Sequence, residues 1–344
     1  MGRVMKILVT GGCGFLGSNL ASEALRLGHE VAVYDDLSRH GSDLNLAWLR
    51  EQAAFAMHQA DVADADRIAE VVRDFRPDVV FHTAGQVAMT TSLSNPRRDF
   101  ETNALGAFNV LEALRQHSPT AIIVFSSTNK VYGDLEDWRY SETATRYLCE
   151  DFPQGFPETV PLDFRTPYGC SKGAADQYIR DYCLSFGLRS VVFRHSSIFG
   201  GRQFASVDQG WIGWFVQQAV ETLAQPDRDP FTISGNGKQV RDVLFASDLV
   251  ACYYRAVEAI DQTQGQAFNI GGGMSNSLSL LELFDLLRTE LDVRLSYTEL
   301  PPRSSDQKVF VADIGKAERL FGWAPRVSKE EGIRQMIDWV RAGR

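Results

Sequence analysis

The sequence predicts a doubly wound α/β protein: a parallel sheet covered by helices on both faces, with a smaller second domain entered more than once by the chain. Three observations predict it. Short strands are apolar on both faces, helical stripes separate them, and a glycine cluster joins the first strand to the first helix. Parallel strands need helical crossovers and are buried on both sides, so these patterns belong together.

The first strand is Lys6-Ile7-Leu8-Val9-Thr10, and Leu16, Leu20, Ala24 and Leu27 follow at helical spacing. Val31-Ala32-Val33-Tyr34 is the second strand, closed by Asp35, and Phe55 to His58 is expected as the third. Ile68, Val71, Val72 and Phe75 make a helix stripe that Pro77 stops. Val79 to His82 is a strand, Phe100 to Arg115 a long helix, and Ala121 to Phe125 a strand. Asp134 to Thr166 is polar and aromatic-rich and holds Pro153, Pro157 and Pro161, so it reads as a long excursion. A helix follows from Tyr168 to about Phe186, then the strand Ser190 to Phe193. Residues 200–230 and 273–344 lose the alternation. The expected division is therefore 1–190 and 234–272 for the sheet domain, and 191–233 and 273–344 for the second.

At roughly 150 residues per domain, the 344 residues suggest about two domains, or one large one with a lid. Lysine plus arginine number 35 against 44 acids, a net charge of −9, and such a field repels nucleic acid and anionic membrane surfaces. The longest uncharged stretch, Val79 to Pro96, is full of Thr, Ser, Gln and Asn, so no membrane span is expected. The five cysteines (Cys13, Cys149, Cys170, Cys183, Cys252) contain no C-x-x-C pair and read as reduced packing thiols. Met-Gly-Arg-Val-Met-Lys runs straight into a strand without a signal-peptide core, so a cytoplasmic protein is expected. The scattered histidines show no H-E-x-x-H and no cysteine cluster accompanies them, so no metal is expected.

Gly11-Gly12-Cys13-Gly14-Phe15-Leu16-Gly17 lies between the first strand and helix. Gly11 permits the tight turn, Gly14 lets backbone approach a pyrophosphate, and Gly17 allows close helix–strand packing. The helix start then offers free N–H groups to phosphate. Asp35, ending the second strand, can accept both ribose hydroxyls of NAD and would repel a 2′-phosphate. Together these predict a Rossmann-type dinucleotide site with NAD as cofactor, although Arg39 nearby could suit NADP.

Tyr168 and Lys172 stand at i, i+4 at the start of a helix and share a face. A neighbouring ammonium favours phenolate, and bringing a tyrosine from about 10 to near 7 takes about 4 kcal/mol. A tyrosine so tuned could take a proton from a sugar hydroxyl while hydride leaves the same carbon. The stretch Gly169-Cys170-Ser171-Lys172-Gly173 also spells the G-x-S-x-G of serine hydrolases. That motif needs a strand running into a sharp turn, and Phe164-Arg165-Thr166-Pro167 cannot supply a central strand.

Gly11 to Gly17, Asp35, Asp61-Val62, His82-Thr83-Ala84-Gly85, Asn103, Ser126-Ser127-Thr128 with Val131-Tyr132-Gly133, and Tyr168/Lys172 occur in one order. This order resembles the extended short-chain dehydrogenases, the nucleotide-sugar epimerases and dehydratases. Gly235 to Asp242 and Pro302-Arg303 match as well, so the resemblance spans nearly the whole chain. It implies Thr128, Tyr168 and Lys172 as catalytic residues, with Thr128 orienting the sugar hydroxyl and Lys172 also holding the nicotinamide ribose. It implies further cofactor contacts from Phe15, Leu16, Ser38, Arg39, Asp61 and Val62 (beside adenine), Ala84, Gly85, Gln86, Asn103 and Ser126. Arg241 and Arg303 would clamp the sugar-nucleotide diphosphate. Gln86, Val87, Thr91, Asn129, His195 and Ser196 would line the sugar pocket, though each of these six could equally be a satisfied polar core residue, and Thr128, Ser197 and Arg202 would be further substrate contacts.

Within the family, Ala84 to Ser92, Thr128 to Asp134, Phe193 to Ser197, Gly201 to Phe204, Asp208 to Phe215 and Ser304-Ser305-Asp306-Gln307 resemble the subgroup inverting C2 of CDP-sugars. Ser197, where many members carry asparagine, is shared with that subgroup, as is the long interval between Thr128 and Tyr168. Dehydratases commonly carry Asp-Glu after the catalytic threonine; Asn129-Lys130 leaves elimination without proton carriers. Retention of both Tyr168 and Lys172 disfavours a non-catalytic NAD-binding regulator. The expectation is an NAD-dependent epimerase acting on a CDP-hexose or CDP-deoxyhexose, as a homo-oligomer (dimer or tetramer). C4 inversion of a UDP-sugar is the alternative, since both reactions need the same Tyr, Lys and Thr.

Overall fold

The structure, a computed structural model, describes residues 3–206, 208–303 and 306–343. Seven parallel strands form one sheet, in the spatial order Gln266–Ile270, Arg189–His195, Ile122–Thr128, Val79–His82, Lys6–Thr10, Glu30–Asp35, Ala56–Gln59. The order reverses between Lys6–Thr10 and Val79–His82, and a crevice opens beyond the carboxyl ends of the strands at such a switch point.

Alternate residues of each strand feed separate cores. Ile7, Val9, Val33 and Phe81 pack with Leu20, Ala24 and Leu249 on one face. Leu8, Ala32, Val80 and Ile123 pack with Val72, Leu111 and Ile179 on the other. That is why these strands are apolar at every position.

The expected third strand lies at Ala56–Gln59, one residue later. The long helix is built in three pieces: Pro96–Phe100, a π-turn over Glu101–Leu105, and Gly106–His117. The helix carrying Tyr168 begins at Thr166, because Pro167 in its first turn lacks an N–H that would go unpaired there anyway. The excursion contains a short antiparallel hairpin, Tyr140–Glu142 with Tyr147–Cys149, and stacks Phe156 on Phe310.

Two expected boundaries fall elsewhere. All of Arg189–His195 pairs within the large sheet, so the chain leaves that domain after His195 rather than at residue 190. Val240–Phe245, expected in the sheet domain, pairs instead with Ser197–Phe199, Ser277–Ser279 and Val309–Phe310 in a second, four-stranded sheet. Apolar strand composition reports burial and not which sheet a strand joins. Phe215, Leu283 and Ile333, from helices Trp211–Ala224, Leu280–Leu291 and Lys329–Arg341, close a third core against this sheet.

One ion pair ties the helix Thr166–Phe186 to the sheet. Arg194 donates from Nε and Nη2 to the two oxygens of Asp176, both at 2.9 Å, and the side chains are 3% and 0% exposed. Ser127 donates to the same carboxylate at 2.8 Å, and Arg194 Nη1 donates to Tyr132 at 2.9 Å. Asp176→Ala should therefore destabilise the fold by about 3–5 kcal/mol, because it leaves a buried guanidinium unpaired. Urea unfolding measures this, and a loss below about 1 kcal/mol would put the pair in the class of surface bridges.

Candidate functional site

The crevice is a cleft of about 1240 Å³, lined by the glycine turn, Asp35, Asp61, Tyr168, Arg241 and Arg303 alike. Gly11 has φ +68°, and a Cβ there would stand 2.6 Å from the Ala84 nitrogen. A Cβ on Gly17 would stand 2.1 Å from the Gly11 carbonyl oxygen, so the helix rests directly on the turn. Gly14 caps the helix Phe15–Arg26 without a side-chain hydrogen bond. The first-turn N–H groups of Phe15, Leu16 and Gly17 and the positive end of the helix dipole therefore serve the cleft. This cradle fits a dinucleotide diphosphate.

Asp35 accepts the Cys13 N–H at 2.9 Å on Oδ2 and the Leu37 N–H at 2.8 Å on Oδ1, which aims the carboxylate at the strand end. Burial raises its pKa while these backbone donors lower it. Arg98, which the sequence reading missed, donates to Asp61 at 2.5 Å and lies 3.4 Å from Asp36. Three acids at one end of the cleft, with the added arginine held by two of them, suit ribose hydroxyls better than a 2′-phosphate. Val62, Ser38 and Arg39 line the same cleft, and Arg39 faces both Asp35 and Tyr168 electrostatically. Arg98 left no local signal, because its partners lie far away in sequence.

Thr128 and Tyr168 are both buried at the cleft wall, where Thr128 Oγ1 accepts the Lys130 N–H at 3.2 Å. Lys172 Nζ donates to the Ser126 carbonyl at 2.5 Å and sits 4.3 Å from the Phe125 ring centroid. It lies behind Gly85, where an added Cβ would stand 3.6 Å from Nζ. This corrects the expectation that the lysine depresses the tyrosine. Burial dominates and pushes Tyr168 up to about 12, against the neighbouring Thr128 side chain, with Asp99 adding to the rise and Arg39 opposing it. Burial likewise brings Lys172 down to about 7, with Asp176 and Asp99 opposing. Ser171 of the hydrolase-like motif is buried within the helix, one turn past its start, instead of standing on a strand-to-helix elbow.

The wall beside Tyr168 is Ala84, Gly85 and Gln86 with Val87 and Thr91. The Gln86 amide is spent on Asp99, at 2.8 Å, and on Ala88. Asn103 does not line the cleft; it brackets Gln86 by accepting its N–H and donating to its carbonyl, both at 3.0 Å. Asn129 lines the cleft but donates to Gln307 at 2.8 Å, and Gln307 donates to the Gly133 carbonyl at 2.6 Å. Ser304 and Ser305 of that run lie outside the described residues.

His195, Ser196 and Ser197 line the cleft with their polar atoms already engaged. His195 lies between Ser126 at 3.3 Å and Tyr253 at 3.4 Å. Ser196 donates to the Asp242 carbonyl at 3.1 Å, and Ser197 accepts from Trp211 at 3.0 Å. Arg241 and Arg303 both line the cleft, with Asp306 on Arg241 at 2.7 Å and Asp208 at 3.9 Å from Arg303. Arg202 is not brought to them. It stacks on Trp48 at 4.4 Å, outside this cleft, and its carbonyl accepts from Asn45. Phe204 then covers Gly41, where a Cβ would stand 2.1 Å from its ring, and meets Trp339 edge-on at 5.5 Å.

The sequence profile described as "NAD dependent epimerase/dehydratase family" matches residues 7–271. Over 336 residues the chain is 55% identical to a CDP-paratose 2-epimerase of Salmonella typhi, covering 98% of this chain and 99% of that protein. Among solved structures it is similar to a UDP-glucose 4-epimerase from Thermotoga maritima with UDP-glucose, at 28% identity and TM-score 0.84, covering 98% of this chain and 99% of that one. A UDP-glucose 4-epimerase from Thermus thermophilus in complex with NAD is similar at 28% identity and TM-score 0.81, covering 99% and 100%.

The two histidines behind the site give a pH prediction. Burial brings His82 and His195 from 6.5 down to about 3, so both are neutral in the fold. The unfolded chain binds their protons first, so stability is full above about 6.5 and falls as pH drops toward 3. His82→Asn, which keeps a polar atom for Thr10, should flatten this acid loss; equal slopes in wild type and variant, read from thermal unfolding at several pH values, would refute it.

Proposed function

Because the chain belongs to the NAD dependent epimerase/dehydratase family, we propose that it inverts C2 of a CDP-sugar, in the manner of CDP-paratose to CDP-tyvelose. It is an isomerase of nucleotide sugars that uses NAD. The observation that carries the C2 assignment is the end-to-end likeness to the Salmonella enzyme. Asn129-Lys130 beside Thr128 supports it, since this pair offers no carboxylates for elimination.

Bound NAD supplies a hydride acceptor that makes a transient 2-keto sugar possible, and its reduced form supplies the hydride for the opposite face. Gly11, Gly14, Phe15, Leu16 and Gly17 would hold its diphosphate, Asp35 with Ser38 and Arg39 the adenosine ribose, and Asp61 and Val62 the adenine. Ala84, Gly85, Gln86 and Ser126 would wall the nicotinamide end, with Lys172 and Tyr168 on its ribose. Asn103 acts on this site through Gln86. Tyr168 takes the proton of the C2 hydroxyl and later returns it, while Thr128 orients that hydroxyl. Arg241 and Arg303 bind the substrate diphosphate, each exchanging an aspartate partner for phosphate oxygens. Val87, Thr91, Asn129, His195, Ser196 and Ser197 shape the sugar pocket.

The site sits in a cytoplasmic protein in this reading: its five cysteines are unpaired, and among the described residues no helix is long and apolar enough to cross a membrane. Phe108 and Tyr178 meet at 5.8 Å and are both exposed on Gly106–His117 and Thr166–Phe186. A second copy packing there would give the expected dimer or tetramer.

Proton NMR in D2O with CDP-paratose, CDP-glucose and UDP-glucose tests the reaction. C2 inversion without deuterium entering the ring is expected. C4 inversion would establish the second reading, which the solved 4-epimerase neighbours favour, and deuterium at the inverted carbon would replace hydride transfer by enolisation. Tyr168→Phe should keep cofactor and substrate binding and lose turnover; substantial remaining activity would remove the tyrosine from its role. Asp35→Ala should lower the cofactor retained per chain after gel filtration, and full retention would take the ribose contact away from it.

A further inference from the structure

Asp99 belongs to none of the motifs that point to the active site. It sits in the short helix Pro96–Phe100, 1% exposed. Its Oδ1 accepts from Gln86 Nε2 at 2.8 Å and Asn103 Nδ2 at 3.2 Å, and its Oδ2 accepts from Ser171 Oγ at 2.6 Å. All three partners donate, which is the set an ionised carboxylate requires. Among the described residues no guanidinium or ammonium is paired with it: on its own helix Arg97 faces Glu101, and Arg98 faces Asp61 and Asp36. A buried carboxylate without a direct cation is costly, so its position calls for an account.

The three donors come from three parts of one machine. Gln86 belongs to the wall beside Tyr168, and Asn103 to the π-turn that brackets Gln86. Such turns concentrate at functional sites. Ser171 lies between Tyr168 and Lys172, and Asn103 Nδ2 reaches it too, at 3.1 Å. The helix bearing the reacting pair is thereby fixed to the cofactor-side loop through one carboxylate.

We propose that Asp99 is a positioning residue for the Tyr168–Lys172 pair: it sets the helix against the cofactor loop, and its buried charge acts on both groups, so that it sets the pH range in which Tyr168 exchanges its proton. The proposal rests on the epimerase reading of Tyr168 and Lys172. Asp99 acts in the same direction on both groups, holding the phenol protonated and supporting the ammonium against burial. The other groups facing the pair are few. Tyr168 meets Thr128 and Arg39; Lys172 meets Asp176 on its own helix, the Ser126 carbonyl, and the neutral His82 and His195 from the sheet.

Asp99→Asn keeps the shape and can keep the contacts, accepting from Gln86 and Asn103 through Oδ1 and donating to Ser171 through Nδ2. Loss of one negative charge lowers the pKa of both phenol and ammonium. Both limbs of the pH profile of kcat should therefore move toward acid by about one unit. The Cζ resonance of Tyr168, followed by 13C NMR in tyrosine-labelled protein and assigned with Tyr168→Phe, should titrate lower by a similar amount. A kcat loss with unmoved limbs and an unmoved resonance would reduce Asp99 to a structural residue and overturn the proposal. Ser171→Ala cuts the positional link without changing charge: kcat should fall several-fold with both limbs in place, and an unchanged kcat overturns the link. The NMR titration stands apart from turnover. An active Tyr168→Phe enzyme would refute the catalytic reading, while the resonance shift in Asp99→Asn would still report on the charge.

Discussion

A guanidinium and a carboxylate with almost no contact with water hold this molecule together at its centre. The Arg194–Asp176 pair joins a sheet strand to the helix that carries Tyr168 and Lys172. Ser127, on the same carboxylate, precedes Thr128, so the strand and the helix are clamped one residue away from Thr128 at the cleft wall. The same pair reaches outward. Tyr132, which accepts from Arg194, donates to Asn269 at 2.7 Å, and Asn269 in turn donates to the Phe156 carbonyl at 2.8 Å. Glu158 accepts the Asn269 N–H. The long proline-containing excursion is thus anchored to the centre of the sheet by a relay of buried polar groups, each satisfied by the next. Burying such a pair costs desolvation that a hydrophobic substitute avoids, and what it supplies is directional registry.

Burial also decides the electrostatics of the site. Tyr168, Lys172, His82 and His195 are all driven toward their neutral forms by the same low-polarity surroundings. The glycines follow a related logic. At Gly11, Gly17 and Gly85 the chain gives up side chains so that the Ala84 backbone, the Gly11 carbonyl and the Asn103 amide can approach closely.

Much of this was legible in the sequence, for identifiable reasons. The glycine turn, Asp35 and the Tyr168/Lys172 spacing are local patterns, and local patterns survive without tertiary knowledge. The sheet was readable because strands buried on both faces are apolar at every position. Arg98 and Asp99 escaped notice, and the part played by Gln307 was hidden, because their partners are distant in the chain. Arg202 erred in the opposite direction: it belonged to a matching segment, but a positive φ of 71° and a tryptophan surface carry it outside the cleft. The strand Val240–Phe245 shows the same limit, since its pattern was correct and its sheet was not.

The segment that misplaced Arg202 has a mechanical meaning. Gly201 accepts from Asn19 on the first helix, Arg202 accepts from Asn45 and covers Trp48, and Phe204 fills the notch at Gly41. A stretch leading into the second domain is therefore buttoned onto the first helix and onto the helix Ser42–Arg50 with its cap Gly41. The two domains cannot swing apart as halves of a hinge without first undoing these fasteners in series.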